Sequence, residues 1–435
     1  MDQRVAVIGL WHLGVVYAAC LAKLGCKVTG IDENREVVSS LNKGRAPLYE
    51  TDLDPLVADG LSKGNLGFTS NFEDLSKADC VVIAYDTPVD EQDKPDISIV
   101  MDAADRIGEY ASHSALIIVS SQVPVGTCEK MIQSIAQRRK GVTLQLAYVP
   151  ENLRLGTAIQ RFLRPDMIVV GANDPETRRR VREFFSSLET KFVEMDLRSA
   201  EMTKHALNCF LATSVSFANE IGNICDLVGA DGLKIAEALK CDSRIGSRAL
   251  LRPGLGFSGG TLARDMKVLQ DVGDKNGYDT FLLDGVLALN QRQNASIINK
   301  LRIILGDLNG LTIAVLGLTY KAGTSTLRRS VALEIMEALC ESGVNVKCYD
   351  PKISKDGVPS KFQFTSTVYE AAEGADAMLV LNDWPEFFEI DFQKILQSMR
   401  RPIVVDAQNL LYKMKVDEQG FKYYGIGRGM DRTSS

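Results

Sequence analysis

Apolar residues open the chain in a block, RVAVIGL, recur at helical spacing through VVYAACLAKLG, and form a second block at CKVTGID. An unbroken apolar run marks a strand buried on both faces, and the change to a 3.6-residue period predicts a strand, turn, helix, strand unit. Short apolar strands at ADCVVIAYDTP, SALIIVSSQVPVG, LQLAYVPENLR and DMIVVG alternate with helical stretches, which predicts a parallel doubly wound sheet over residues 1–196. Strand signals then vanish from Leu197 to about Ile304. SAEMTKHALNCFLATSVSFANEIGNICDLVG reads there as one long helix, with Gly222 the mark against an unbroken run.

Alternation resumes in residues 305–435 with LTIAVLGLTYKAGT, a helix through SVALEIMEALCESG and the strand NVKCYDP. The layout of Gly9 and Asp32, a strand into a glycine turn, a helix and a strand ending in an acid, returns at Gly317 and Asp350, as a divergent internal duplication would leave it. The expected fold class is α/β: two Rossmann-like doubly wound domains, 1–196 and 305–435, joined by a long helix and an all-helical segment, 197–304. Two nucleotide-binding domains of this kind predict two ligands meeting in a central cleft. The tail GRGMDRTSS is expected to be unstructured.

Charge narrows the function classes. There are 56 Asp plus Glu against 50 Lys plus Arg, a net charge of −6, and no electrostatic footprint for nucleic acid. No apolar run reaches the roughly 20 residues that span a bilayer. The start MDQRVAVIGLWHLG has neither the basic region nor the cleavage site of a secretory signal, so no membrane insertion and a cytoplasmic location are expected. Nine cysteines stand singly with no CxxC pair, as reduced thiols do, and His12, His113 and His205 lack metal-ligand spacing, so no metal site is expected. Chemistry therefore falls to Lys, Asp, Glu, Asn or a cofactor.

The first turn, GLWHLG, is close to a dinucleotide fingerprint. Gly9 suits the tight turn and Gly14 the close approach of helix to strand. Leu10, Trp11, His12 and Leu13 bring backbone N–H groups and the positive end of a helix to a pyrophosphate. Trp11 replaces the second glycine of the pattern, so its side chain has to point away; a purely structural turn is the competing reading. Asp32 ends the second strand, where a carboxylate accepts from ribose hydroxyls and repels a 2′-phosphate, which favours NAD over NADP; Arg35 is assigned to the same site. Thr87 and Pro88 of DTP, Ser121 and Gln122 of SQVPVGT, and Glu151, Asn152 and Leu153 of VPENLRLG follow strands, either as ligand contacts or as capping loops. Lys204 and Asn208 lie four apart on the long helix and share a face, a cation and an amide that could hold an alkoxide or water, or a solvated face. The loop PGLGFSGGTLARD, with Gly256, Phe257, Gly260 and Thr261, permits close backbone approach to a ligand, and Asp265 falls one turn into the helix that follows.

Taken in order, these segments resemble the UDP-glucose/GDP-mannose dehydrogenase family over nearly the whole chain. SQVPVGT is similar to the family's STVPVGT, VPENLRLG to NPEFLREG, and AEMTKHALNCF to AE-x-x-K-x-x-x-N-x-F. Asp242, Arg244, Ile245 and Gly246 match DxRIG, LGLTYKAGTSTLRRS resembles LGLAFKxxTDDxRxS, and VVDAQN resembles DxRN. The resemblance implies an NAD-dependent oxidoreductase acting at carbon-6 of a nucleotide sugar, a UDP-sugar first among them, in a homodimer serving polysaccharide biosynthesis. It implies catalytic roles for Lys204, Asn208, Asp265 and Glu151, substrate contacts from Glu151, Asn152, Leu153, Lys204, Asn208, Gly256, Phe257, Gly260 and Lys321, and Arg244 reaching the substrate of a neighbouring subunit.

The departures fall in the chemistry. The family's FGGSCFPKD reads FSGGTLARD here, so Thr261 stands where the catalytic cysteine does and Arg264 where a lysine does. Gln122, Leu155, Ser325, Thr326 and Gln408 are further departures. Hydride transfer is expected without the usual Cys-thioester four-electron route. One two-electron oxidation, a redox-neutral epimerisation and oxidation through an aldehyde hydrate all stay open. A non-catalytic nucleotide-sugar or NAD binding protein is the alternative from another class.

Overall fold

The computed structural model describes residues 3–88, 95–138, 144–257 and 261–429. The chain divides into two compact units, Met1–Leu207 and Asn208–Ser435. In the first, eight strands form one sheet: β1 (Arg4–Ile8), β2 (Lys27–Ile31), β3 (Leu66–Thr69), β4 (Cys80–Ile83), β5 (Leu116–Val119), β6 (Gln145–Tyr148), β7 (Met167–Gly171) and β8 (Lys191–Met195). Their order is β3-β2-β1-β4-β5-β6-β7-β8, so the chain reverses direction across the sheet between β1 and β4, the place where open α/β sheets bind ligands. Because side chains alternate along a strand, Val5 and Val7 enter one core with Val15, Val16 and Leu21, while Ala6 and Ile8 enter another with Val100 and Ile107. Both faces of β1 are thus buried, which is why it reads as an unbroken apolar run.

DMIVVG, expected as one more parallel strand, is β7 and pairs antiparallel with β6 at Tyr148 and Gly171. A parallel crossover has to carry the chain back along the sheet, usually on a helix. The helix here, Ala158–Leu163, has 6 residues, about 9 Å of rise, too little for the return. The chain therefore enters β7 from the end at which it left β6.

The second unit holds six parallel strands, β9 (Thr312–Leu316), β10 (Asn345–Tyr349), β11 (Gln363–Phe364), β12 (Ala377–Val380), β13 (Ile403–Asp406) and β14 (Lys422–Gly425), in the order β11-β10-β9-β12-β13-β14. That order repeats the first six positions of the other sheet. It also repeats the two-sided core: Ile313 and Val315 face one cluster, Ala314 and Leu316 the other. The two Rossmann-like sheets are accompanied by four helices, Leu197–Val228, Gly232–Cys241, Leu262–Lys275 and Phe281–Leu305, with no strand among the described residues between β8 and β9.

The helix Leu197–Val228 runs 32 residues without a break through Gly222. The glycine is there for contact rather than flexibility, since a Cβ at 222 would lie 2.6 Å from the Pro253 side chain and 3.5 Å from Gly427 Cα. The expected loose tail is corrected at its start. Gly427 donates its N–H to Asp226 at 3.2 Å and accepts from Gly232 N at 2.6 Å, and the Arg428 guanidinium lies 3.5 Å over the Tyr412 ring. Residues 430–435 of that tail lie outside the described residues. Among the described residues, no helix is long and apolar enough to cross a membrane.

Candidate active site

The glycine turn after β1 is shaped by contacts that no side chain could share. Gly9 has φ +91°, and a Cβ there would meet the Tyr85 ring at 2.6 Å; a Cβ on Gly14 would fall 1.6 Å from the Gly9 carbonyl oxygen. The helix His12–Lys23 thus starts flush against the turn, as close backbone approach to a diphosphate requires. Asp32 closes the same turn: its Oδ2 accepts from Leu10 N at 2.7 Å and its Oδ1 from Asn34 N at 2.9 Å. Asn34 caps the helix Arg35–Leu41, which leaves Arg35 exposed at its first position. Trp11 is 49% exposed, so its indole turns outward, while Leu10, His12 and Leu13 are buried. These residues fit NAD, and Asp32 sits beside the turn.

One anion already occupies part of this helix end. Trp11 makes no side-chain cap and the first turn holds no acid, but Asp86 of the DTP loop accepts from Leu13 N at 3.0 Å. The other loop residues hold each other. Thr87 Oγ1 donates to the Gln122 carbonyl at 2.7 Å and Ser121 N donates to Ile83 O at 3.1 Å; Thr87, Ser121 and Gln122 are buried and Pro88 is exposed.

The first turns of the long helix carry the next layer. Glu201, fully buried, accepts from Gly126 N at 2.5 Å and Cys128 N at 2.8 Å, and His205 Nε2 lies 2.9 Å from the Val123 carbonyl, so two side chains of one helix hold the SQVPVGT segment. Burial pushes the Glu201 carboxyl above its ordinary range, an effect the two N–H groups offset only in part. Between them, Lys204, 5% exposed, points its ammonium at Glu151, donating to the backbone carbonyl at 2.6 Å and to Oε1 at 3.2 Å. Glu151 Oε2 accepts from Leu153 N at 2.7 Å, which curls the VPENLRLG loop around its own carboxylate; Asn152 and Leu153 are half-buried beside it. The solvated-face reading of Lys204 and Asn208 fails, since both are buried.

In the second unit, Asn208 Nδ2 donates to Asp265 Oδ2, and Asp265 is fully buried in the first turn of Leu262–Lys275. Thr261 is the N-terminal neighbour of that helix, exposed, with no side-chain cap bond. Cys209 follows Asn208 on the long helix, but burial, together with the charge of Asp265, pushes its thiol up to about 12, which disfavours a thiolate there. A Cβ on Gly256 would lie 2.6 Å from Asn290 Oδ1, and Phe257 exchanges both backbone bonds with the Asn290 amide, so this end of the glycine loop is fixed. Gly260, with Ser258 and Gly259, lies outside the described residues. Arg244 is 87% exposed at its side chain and forms a two-pronged pair with Asp242. Lys321 is exposed, and its carbonyl accepts from Thr324 Oγ1 at 2.8 Å.

The second glycine turn is built differently from the first. A Cβ on Gly317 would meet Asn382 at 2.4 Å. Asp350, 2% exposed, accepts from Leu318 N, Thr319 N, Thr319 Oγ1, Lys352 N and Trp384 Nε1 at 2.8 to 3.3 Å. Its lone pairs are spent on the fold. Sequence reasoning singled out neither Glu201 nor His205, although both flank Lys204 in the quoted helix motif; it placed Asp86 in the DTP loop without its bond to Leu13 N, and it missed Glu50, which carries no local signal.

Family models match the chain in three stretches. Residues 3–189 match the NAD binding domain of the UDP-glucose/GDP-mannose dehydrogenase family, 198–292 its central domain and 314–413 its UDP binding domain. The chain is similar to the UDP-glucose 6-dehydrogenase of Pseudomonas aeruginosa, 35% identical over 444 residues that cover 98% of each chain. Among solved structures it is similar to a UDP-glucose dehydrogenase from Pyrobaculum islandicum, with a TM-score of 0.88 at 29% identity and 98% coverage of each chain. It also resembles a UDP-D-ManNAc dehydrogenase from Pyrococcus horikoshii, with a TM-score of 0.86 at 28% identity, covering 98% of this chain and 99% of the other.

Proposed function

The chain belongs to the UDP-glucose/GDP-mannose dehydrogenase family, and from that premise we propose that it takes a hydride from the carbon-6 alcohol of a UDP-sugar without forming a thioester. It is an NAD-dependent oxidoreductase acting on the CH–OH group of a nucleotide sugar. The observation that carries the proposal is the buried Lys204 ammonium fixed on Glu151, in a chain whose glycine loop ends in the hydroxyl of Thr261.

NAD, bound by Gly9 to Gly14, Asp32 and Arg35 with Thr87, Pro88, Ser121 and Gln122 nearby, supplies the hydride acceptor. Lys204 stabilises the charge that grows on the carbon-6 oxygen as the hydride leaves the carbon and the hydroxyl proton passes to water. Asn208, oriented by Asp265, donates to the same oxygen or to a water. Glu151 accepts a proton from water adding to the aldehyde, the one path left toward an acid. The Thr261 hydroxyl ionises too weakly near neutral pH to trap that aldehyde. Asn152, Leu153, Gly256, Phe257, Gly260 and Lys321 hold the nucleotide sugar, and a second copy of the chain supplies Arg244.

A homodimer is supported by the long helix, where Phe210, Phe217 and Ile224, seven apart, are 70%, 47% and 49% exposed, with Leu227 and Val228 at 63% and 70% beyond them. An apolar stripe of that period calls for a partner helix. The proposed division is 1–196 for the cofactor, 197–304 for dimerisation and 305–435 for the nucleotide. Nine free cysteines fit a reducing, cytoplasmic setting.

The test is a panel of UDP-sugars with NAD, counting NADH formed per sugar consumed and weighing the product. One NADH with a loss of two hydrogens is the expected result. Thr261 also favours a second reading, in which a secondary alcohol of the sugar is oxidised to a ketone and the hydride is returned to its opposite face, giving an isomer and no net NADH. Two NADH per sugar, a carboxylate product and a covalent adduct on the protein would overturn both.

A further inference from the structure

Glu50 lies in the polar stretch YETDLD, outside every motif named above, yet it is 4% exposed and holds two of those motifs at once. Its Oε2 lies 2.9 Å from Nε2 of His12, the first residue of the helix that leaves the cofactor turn, and the imidazole is itself 7% exposed. The same oxygen accepts from Gly156 N at 2.7 Å, and Oε1 accepts from Ala158 N at 2.9 Å. Gly156 ends the VPENLRLG loop, with φ +85°, and Ala158 starts the helix Ala158–Leu163. Five residues before Gly156 the same loop presents Glu151 to Lys204.

Burying a carboxylate is costly unless its oxygens are satisfied. Here burial raises the Glu50 pKa, but the His12 bond and the two backbone N–H groups outweigh it and hold the carboxyl below its ordinary range. A glutamine could not replace it without turning an NH2 group toward backbone donors. The arrangement is a short rigid path, from the cofactor turn through His12 and Glu50 to the loop that carries the partner of Lys204, and connected networks of this kind transmit coupling between sites.

We propose that Glu50 is a positioning residue that couples NAD binding at the Gly9–Gly14 turn to the Glu151–Lys204 loop. This deepens the functional reading above and rests on it for the role of Lys204, but the coupling itself involves only the cofactor turn and the loop. It is tested with NAD alone, by hydrogen exchange of the full chain with and without saturating cofactor, in the natural protein and in the variants Glu50→Gln and His12→Phe.

NAD should slow exchange both in peptides spanning residues 9–14 and in peptides spanning 149–158 of the natural protein. At saturating NAD the first protection should remain in each variant and the second disappear, and in Glu50→Gln the Kd for NAD should change by less than about fivefold. The double variant should be no worse than the poorer single one, because both changes cut the same path. If Glu50→Gln does not fold, His12→Phe still decides, since it cuts only the turn end and leaves the loop bonds in place. Equal protection of 149–158 in a variant and the natural protein, or none in the natural protein, overturns the coupling. Absence of NADH with every UDP-sugar while the coupling persists would overturn the functional reading instead.

Discussion

Replacing Lys204 with methionine removes the ammonium while keeping most of the volume of a side chain that is 5% exposed. Two consequences compete. The first is structural: Glu151 loses an ion pair at 3.2 Å and its backbone carbonyl loses a donor at 2.6 Å. Breaking a buried pair costs about 3–5 kcal/mol when the surviving charge is sealed in. Glu151 keeps 17% side-chain exposure and the Leu153 N–H, so the cost falls to about 1–3 kcal/mol. Against a folding free energy of about 5–15 kcal/mol, nearly all the protein stays folded. The second is chemical: a preorganised donor to a developing oxyanion contributes about 10²–10³ in turnover. A hundredfold loss in kcat therefore cannot come from unfolding. Turnover at saturating UDP-sugar, NAD affinity by titration calorimetry and the melting temperature should be measured on the same preparation. The expected pattern is kcat down by at least about a hundredfold, NAD affinity within about threefold and a modest drop in Tm. A kcat within about fivefold of the natural protein, or a collapse of NAD affinity, would refute the role given to the lysine.

Asp32→Ala should narrow the preference for NAD over NADP by about tenfold or more, at some cost in NAD affinity because Leu10 N and Asn34 N lose their acceptor; equal efficiency of the natural protein with both cofactors would contradict the assignment. Asp350→Ala leaves five donors around a 2% exposed site and should destabilise the chain by about 4 kcal/mol or more in urea melts, where a shift under about 1 kcal/mol would show that water replaces the carboxylate. The natural protein should scatter light as a dimer at micromolar concentration, and the pair Phe210→Ser and Ile224→Ser should shift it toward monomer; an active natural monomer would rule out the shared-site role of Arg244.

What could be read from the sequence was whatever repeats locally. The strand and glycine turn at Gly9, the long helix and the second glycine turn at Gly317 follow from periodicity and turn chemistry over a few residues. The reversed pairing of β7 did not, because its cause is the length of a helix rather than the pattern of a strand. Strand β8, KFVEM, was missed because it is only half-buried and carries charges within its five residues. The fixed acid Asp350 and Asp32 look alike in sequence, and what separates them is the added bonds to Asp350 from Thr319 N, Thr319 Oγ1 and, 34 positions away, Trp384. Glu50 is further out of reach, since its partners lie 38, 106 and 108 positions off.

The contact between Gly222 and Gly427 also dictates an order of events during synthesis. The long helix finds the partners of its early residues, at Gly126, Val123 and Glu151, already made when it leaves the ribosome. Its late residues wait: Asp226 needs Lys300 and then Gly427, the latter 201 positions downstream. At about 5–20 residues per second that is about 10–40 s in which half a helix is anchored and half is bare. Throughout it, Asp226 has neither Lys300 nor Gly427 to meet, and Gly222 has no Gly427 to pack against. A ribosome stalled within that window would leave a product whose eight-stranded sheet is complete and whose six-stranded sheet is not.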